Sequence, residues 1–160
     1  MEYYPIVIIY LGKRNFCIWK TDESDEFETD GKRLLVFKSM EETKQYLDGK
    51  GLHFSSDETV AYDLDGFLKA VDFEEPDPKA VLDFWNMFSD MARGLGLKFS
   101  GDDEKVNKIY EKLFFGNNLP TVTPEGESYT PVFSDREKKT IENIISEGVS
   151  LAKSQLEEGI

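Results

Sequence analysis

The first hydrophobic run, Ile6-Val7-Ile8-Ile9-Tyr10, is β-branched and aromatic, and Gly12-Lys13-Arg14-Asn15 supplies a turn before the second, Phe16-Cys17-Ile18-Trp19. The pair predicts a β-hairpin. A polar stretch from Thr21 to Lys32 separates it from Leu34-Leu35-Val36-Phe37, which reads as the third strand of an antiparallel meander. Ser39 followed by Glu42 has the form of a capping box, in which the serine oxygen and the Glu carboxylate each satisfy an otherwise unpaired backbone N–H. A short helix should open there and end near Gly49. Thr59-Val60-Ala61-Tyr62 reads as a fourth strand, with Asp63 as N-cap of another short helix carrying Leu64, Phe67, Leu68 and Val71.

After Glu74 the period changes. Glu75-Pro76-Asp77-Pro78 is a rigid connection that also places Asp at an N-cap and Pro at the first helical position. Val81, Trp85, Phe88, Met91, Ala92 and Leu95 follow helical spacing, as do Val106, Ile109, Tyr110 and Leu113 beyond Gly94, Gly96 and Gly101. Gly116-Asn117-Asn118-Leu119-Pro120 should end that second helix, and Thr121 to Pro131 reads as a loop. Ser134 with Glu137 forms a second capping box, and Ile141, Ile144, Ile145, Val149, Ala152 and Leu156 give the last helix an apolar stripe. Strands first and helices after predict an α+β fold, with an N-terminal antiparallel sheet of three to four strands packed against a C-terminal helical half. The expected organisation is a single domain over 1–160, mainly strands with short helices over 1–73 and mainly helical over 77–157.

Charge changes this picture more than composition does. With 39% hydrophobic residues the 160-residue chain can bury roughly 70% of the surface its unfolded form exposes. Its 19 Lys and Arg stand against 32 Asp and Glu, a formal net charge of −13. Phosphate backbones are bound chiefly by Lys and Arg, so nucleic acid is disfavoured as a direct partner and a basic protein is favoured. Solubility alone is the plainer account of the same charge. One Cys and one His exclude an internal disulfide and a tetrahedral structural zinc site. The N-terminus lacks the basic region of a secretory signal, and the run from Pro5 to Leu11 is far short of the ~20 residues that span a bilayer. A cytoplasmic protein is expected.

No reaction chemistry assembles along the sequence. A Cys17–His53 nucleophilic pair would draw on a cysteine inside a strand pattern, where cysteine is usually an inert small hydrophobe. Asp22-Glu23-Ser24-Asp25-Glu26-Phe27 lacks the glycine and alternating ligands of a calcium loop, and Gly94-Leu95-Gly96 lacks the third glycine of a dinucleotide loop. Neither a catalytic residue nor a metal nor a cofactor is expected. The carboxylates remain as recognition surface. Asp22, Glu23, Asp25, Glu26, Glu28 and Asp30 crowd one connection, where repulsion is relieved either by a basic partner or by screening in a solvated loop. A second patch comprises Asp63, Asp65, Asp72, Glu74, Glu75 and Asp77, of which Asp63 and Asp77 already serve as caps. Asn117, Asn118, Glu125, Glu127 and Tyr129 could dock a partner or brace their own loop. Phe84, Trp85, Phe88, Tyr110, Phe114 and Phe115 fall at helical spacing and should be core.

Three segments carry a family resemblance: Phe84-Trp85-Asn86-Met87-Phe88-Ser89-Asp90; Lys108-Ile109-Tyr110-Glu111-Lys112-Leu113-Phe114-Phe115-Gly116-Asn117-Asn118-Leu119-Pro120; and Pro124-Glu125-Gly126-Glu127-Ser128-Tyr129-Thr130-Pro131 with Ser134-Asp135. Mainly over residues 81 to 150, the chain resembles bacterial immunity proteins of contact-dependent growth inhibition and related polymorphic toxin systems. The resemblance implies a small cytoplasmic protein, not an enzyme, that binds a cognate toxin domain, commonly a nuclease, and blocks it. An acidic regulatory module for another basic cytoplasmic protein, or a small carboxylate-dependent hydrolase, are the alternative readings. A hydrolase would require a pocket with convergent carboxylates of perturbed pKa.

Overall fold

A computed structural model describes residues 1–157. Strands β1 (Glu2–Tyr10) and β2 (Lys13–Thr21) pair antiparallel from Glu2 opposite Thr21 to Tyr10 opposite Lys13. Leu11 and Gly12 join them with φ of 54° and 71°, the left-handed pair of a tight hairpin turn whose twist matches the strands. Asp65 clasps this turn from outside, accepting from the Leu11 and Gly12 amides at 2.8 and 2.9 Å.

The third strand is not the apolar run Leu34–Phe37. It is β3 (Asp25–Phe27), inside the acidic stretch and antiparallel to β2. Repulsion argues for a loop there, but two residues outweigh it. Phe27, opposite Trp19, enters the core and is 1% exposed, while Lys20 lies opposite Glu26 and its ammonium reaches Glu26 at 3.3 Å and Glu28 at 2.9 Å. Leu34 and Phe37 keep only isolated bridges, to Thr29 and Phe16. β4 (Val60–Asp63) joins β1 on its other side and runs parallel to it, so the sheet is mixed, in the order β3-β2-β1-β4. The antiparallel expectation fails for this strand because α1 (Met40–Asp48) lies in the connection from β3, which brings the chain back in the direction of β1.

Alternation gives the sheet two covered faces. Ile6, Ile8, Tyr10, Cys17 and Phe27 belong to the main core. Val7 and Ile18 have the opposite parity, are buried outside that core, and lie on the face whose strand β2 contacts α1 with its buried Leu47. α1 is capped by Ser39, whose side chain accepts from the Glu42 amide, while the Glu42 carboxylate accepts from Lys38 N–H one residue before the expected partner.

On the main face lie α2 (Leu64–Ala70) and α3 (Pro78–Gly94), with α4 (Asn107–Phe115) and α5 (Asp135–Leu156) against the far side of α3. The expected caps are present: Asp63 accepts from Gly66 N–H, Asp77 accepts from Lys79 N–H before Pro78, and Ser134 and Glu137 form a full capping box. α3 buries Val81, Leu82, Phe84, Trp85, Met87, Phe88, Met91 and Ala92, a set wider than one stripe, because it is covered by β3 on one side and by α4 and α5 on the other. Two glycines allow this. A Cβ on Gly94 would lie 2.2 Å from the Phe27 carbonyl oxygen, and one on Gly148 of α5 would lie 2.0 Å from the Phe88 ring. The main core is one cluster that joins residues of 1–73 to residues of 77–157.

Candidate functional site

A concavity of about 640 Å³ lies beside the free edge of β4. Its floor is aromatic. Phe67 of α2 stacks on Phe84 of α3 with ring centres 4.1 Å apart, and Tyr62 of β4 meets Phe84 edge-on at 5.7 Å. Val60, the strand neighbour of Tyr62 on the same face, is half exposed, with 50% of its surface open. Burial first, then Asp83 and Asp90, push the Tyr62 hydroxyl up to about 12, so it stays neutral.

The rim is carboxylate. Asp63 and Asp77 stand there because they cap α2 and α3, Asp72 accepts from the Glu74 and Glu75 amides in the connecting turn, and Glu75 and Asp83 complete the edge. Lys79 is the one cation among the lining residues, and Asp83 holds it at 2.8 Å. The second acidic patch of the sequence is thus partly assembled here, through Asp63, Asp72, Glu75 and Asp77. Asp65 is engaged at the hairpin turn, where the Gly12 and Leu11 amides hold its carboxyl below the usual range. Glu74 lies on the neighbouring surface with Lys138 at 3.9 Å.

The first acidic run is distributed differently from a loop of equivalent charges. Asp22 and Glu23 are exposed at the β2–β3 turn. Asp25 accepts from the Thr21 hydroxyl at 2.5 Å, Glu26 and Glu28 face Lys20, and Glu28 is buried at 8% exposure. Asp30 accepts from the Lys32 and Arg33 amides, which hold its carboxyl below the usual range. Four of the six thus have work inside the fold.

The connection between α4 and α5 braces itself and also presents an apolar surface. Asn117 donates to the Leu113 carbonyl at 2.8 Å, closing α4. Asn118, at φ 52°, donates to the Tyr129 carbonyl and accepts from its amide. Glu125 and Glu127 are exposed. Phe115, which helical spacing assigned to the core, is instead 44% exposed and shares a concavity of about 290 Å³ with Val122 and Tyr129. It lies two residues after buried Leu113, about 200° further round the helix and so on the opposite face, at the last residue of α4.

A third concavity, of about 610 Å³, lies where α3 meets the loop before α4, and it is polar. Asp90 accepts from Trp19 Nε1 at 3.0 Å and from Arg93 at 3.2 Å, and burial pushes its carboxyl up to about 6. Ser89 donates to Asp102 at 2.6 Å. This is the perturbed carboxylate a hydrolase would use, but both its oxygens already hold protein donors. His53 is exposed on a separate loop beside Lys44 and Asp57, and buried Cys17, whose thiol burial pushes up to about 12, packs in the core. The three do not form a nucleophile and base.

The sequence pointed to the rim and missed the floor. Caps and turn carboxylates follow from local rules, whereas the meeting of Val60, Tyr62, Phe67 and Phe84 depends on β4 docking beside β1.

No family model matches the chain, and no curated protein matches it. Among solved structures, the C-terminal domain of SatS, in complex with bromine, aligns over 91% of both chains at 15% identity with a TM-score of 0.43. A likeness of that degree says nothing of function. Among the described residues, no helix is long and apolar enough to cross a membrane.

Proposed function

We propose that this chain is an immunity-type inhibitor that captures a basic toxin domain, a nuclease by the chemistry of its substrate, in the bacterial cytoplasm. One observation carries this reading: a groove with an aromatic floor and five carboxylates at its rim, on a protein of net charge −13. An apolar centre inside a charged margin is the make-up of a protein docking site. A nuclease must hold phosphate and so presents Lys and Arg, the groups that complement this rim. The exposed Asp22 and Glu23 at the β2–β3 turn, and the loop carrying Asn117, Asn118, Glu125, Glu127 and Tyr129, whose Asn117 side chain reaches the Pro78 carbonyl beside the groove residues Asp77 and Lys79, supply further contact surface. The chain acts by binding, with no bond made or broken.

The test is protection. Where a toxin domain is encoded directly upstream of this gene, cells expressing it should survive when the wild-type chain is present in excess, and the two proteins should purify together. Death of those cells despite folded wild-type protein would end the immunity reading. Recovery instead of a different basic protein, bound with similar salt dependence, would support a regulatory module.

A further inference from the structure

We propose that the free edge of β4 takes an extended basic segment of the partner as a fifth strand, seated over the groove; this rests on the capture reading above. β4 ends the sheet, and among the described residues no backbone hydrogen bond reaches it from the side away from β1. Such an edge is an open row of donors and acceptors that another extended chain can complete. The groove begins at this edge, and its floor is on the same face as Val60 and Tyr62. A strand laid beside β4 would place every second side chain on that face, above Phe67 and Phe84, and the intervening ones on the other. Pairing and pocket therefore suit the same ligand.

Charge selects which extended segment. A second copy of this chain would bring the same carboxylates against Asp63, Asp72, Glu75 and Asp77, at a net charge of −13 on each side. A segment in which apolar side chains alternate with Lys or Arg meets an apolar floor and an acidic rim together. The β4 edge is short, four residues, and acidic at Asp63, which discourages indiscriminate pairing and leaves a basic strand as its complement.

The experiment uses the whole chain and two probes: the toxin domain encoded upstream, and a blocked heptapeptide of alternating Lys and Val, with its Glu-Val counterpart as control. Amide exchange is followed residue by residue, and affinity is measured for the wild type, Ala70→Trp, which fills the groove from an exposed position, and Glu75→Lys, which reverses an exposed rim charge. Thermal melts matching the wild type establish that each variant is folded. Expected are at least tenfold slower exchange for amides within 60–63 in the complex, at least tenfold weaker binding by either variant, and no binding of the Glu-Val peptide. A toxin complex in which exchange at 60–63 and the affinities of both variants are unchanged overturns the fifth strand while leaving immunity standing. If the toxin does not bind but the Lys-Val peptide does, with protection at 60–63, the strand site stands and the immunity reading falls. If neither probe binds at millimolar concentration, both fall.

Discussion

Asp90 shows how one side chain can report on the junction between sheet and helix. It sits on α3, takes the Trp19 indole N–H from β2, and burial raises its carboxyl to about 6 despite that bond and Arg93. The folded state thus holds the proton more tightly than the unfolded state does, whose Asp titrates near 4. Stability from this group is present below about pH 4 and lost as pH rises through about 6. Asp90→Asn removes the titration and keeps an oxygen for the indole. Relative to the wild type, the variant should gain about 2–3 kcal/mol between pH 4 and pH 7, read as the difference in urea-unfolding free energies. An identical pH profile would show that the carboxyl is not desolvated. Nothing in the sequence announces this contact, because Trp19 and Asp90 are 71 residues apart and neither breaks its local pattern.

At the scale of elements, legibility follows how local the cause is. The helix starts at Asp63, Asp77 and Ser134 were readable because the capping group and the amide it serves lie within three residues. β3 was not, since its formation depends on the parity of one Phe and on one Lys across the ladder, and β4 was read as a strand but not in its direction. Gly148 is a further case where the local rule misleads. By propensity, Gly to Ala inside α5 should stabilise by about 1 kcal/mol. The new methyl would instead fall 2.0 Å from the Phe88 ring, which packs at the centre of α3 and has no room to retreat. Gly148→Ala should therefore destabilise by about 1–3 kcal/mol, while Ser146→Ala, exposed on the same helix, should leave the melting temperature level or slightly higher. A stabilised Gly148→Ala would mean that α3 and α5 are farther apart than described.

For the molecule as a whole, charge acts before contact. A net −13 sets up a field that steers a cationic partner, whereas individual exposed ion pairs add only about 0–1 kcal/mol each. Asp22 and Glu23 are the acidic-run residues suited to testing this, since reversing Glu26 or Glu28 would set Lys20 against a like charge. If the chain captures a basic toxin domain as proposed, Asp22→Lys with Glu23→Lys should slow that association by roughly tenfold at low salt, change dissociation less, and converge with the wild type as the Debye length shrinks to ~3 Å at 1 M. Stopped-flow traces across a salt series would read this directly, and an unchanged association rate would leave steering to the groove rim alone.

The place of α3 between the sheet and the last two helices also bears on how the chain is made. Synthesis runs at roughly 5–20 residues per second, so the main face of β1 to β3, with Ile6, Ile8, Cys17 and Phe27, is covered only in part by α2 until Pro78–Gly94 follows. That helix is itself apolar on more than one side, and its outer surface waits further seconds for Asp135–Leu156. A nascent chain thus passes two successive stages of sticky, half-clad structure on the ribosome. The second stage lasts as long as the stretch between α3 and α5 takes to make, so slow codons there would prolong it.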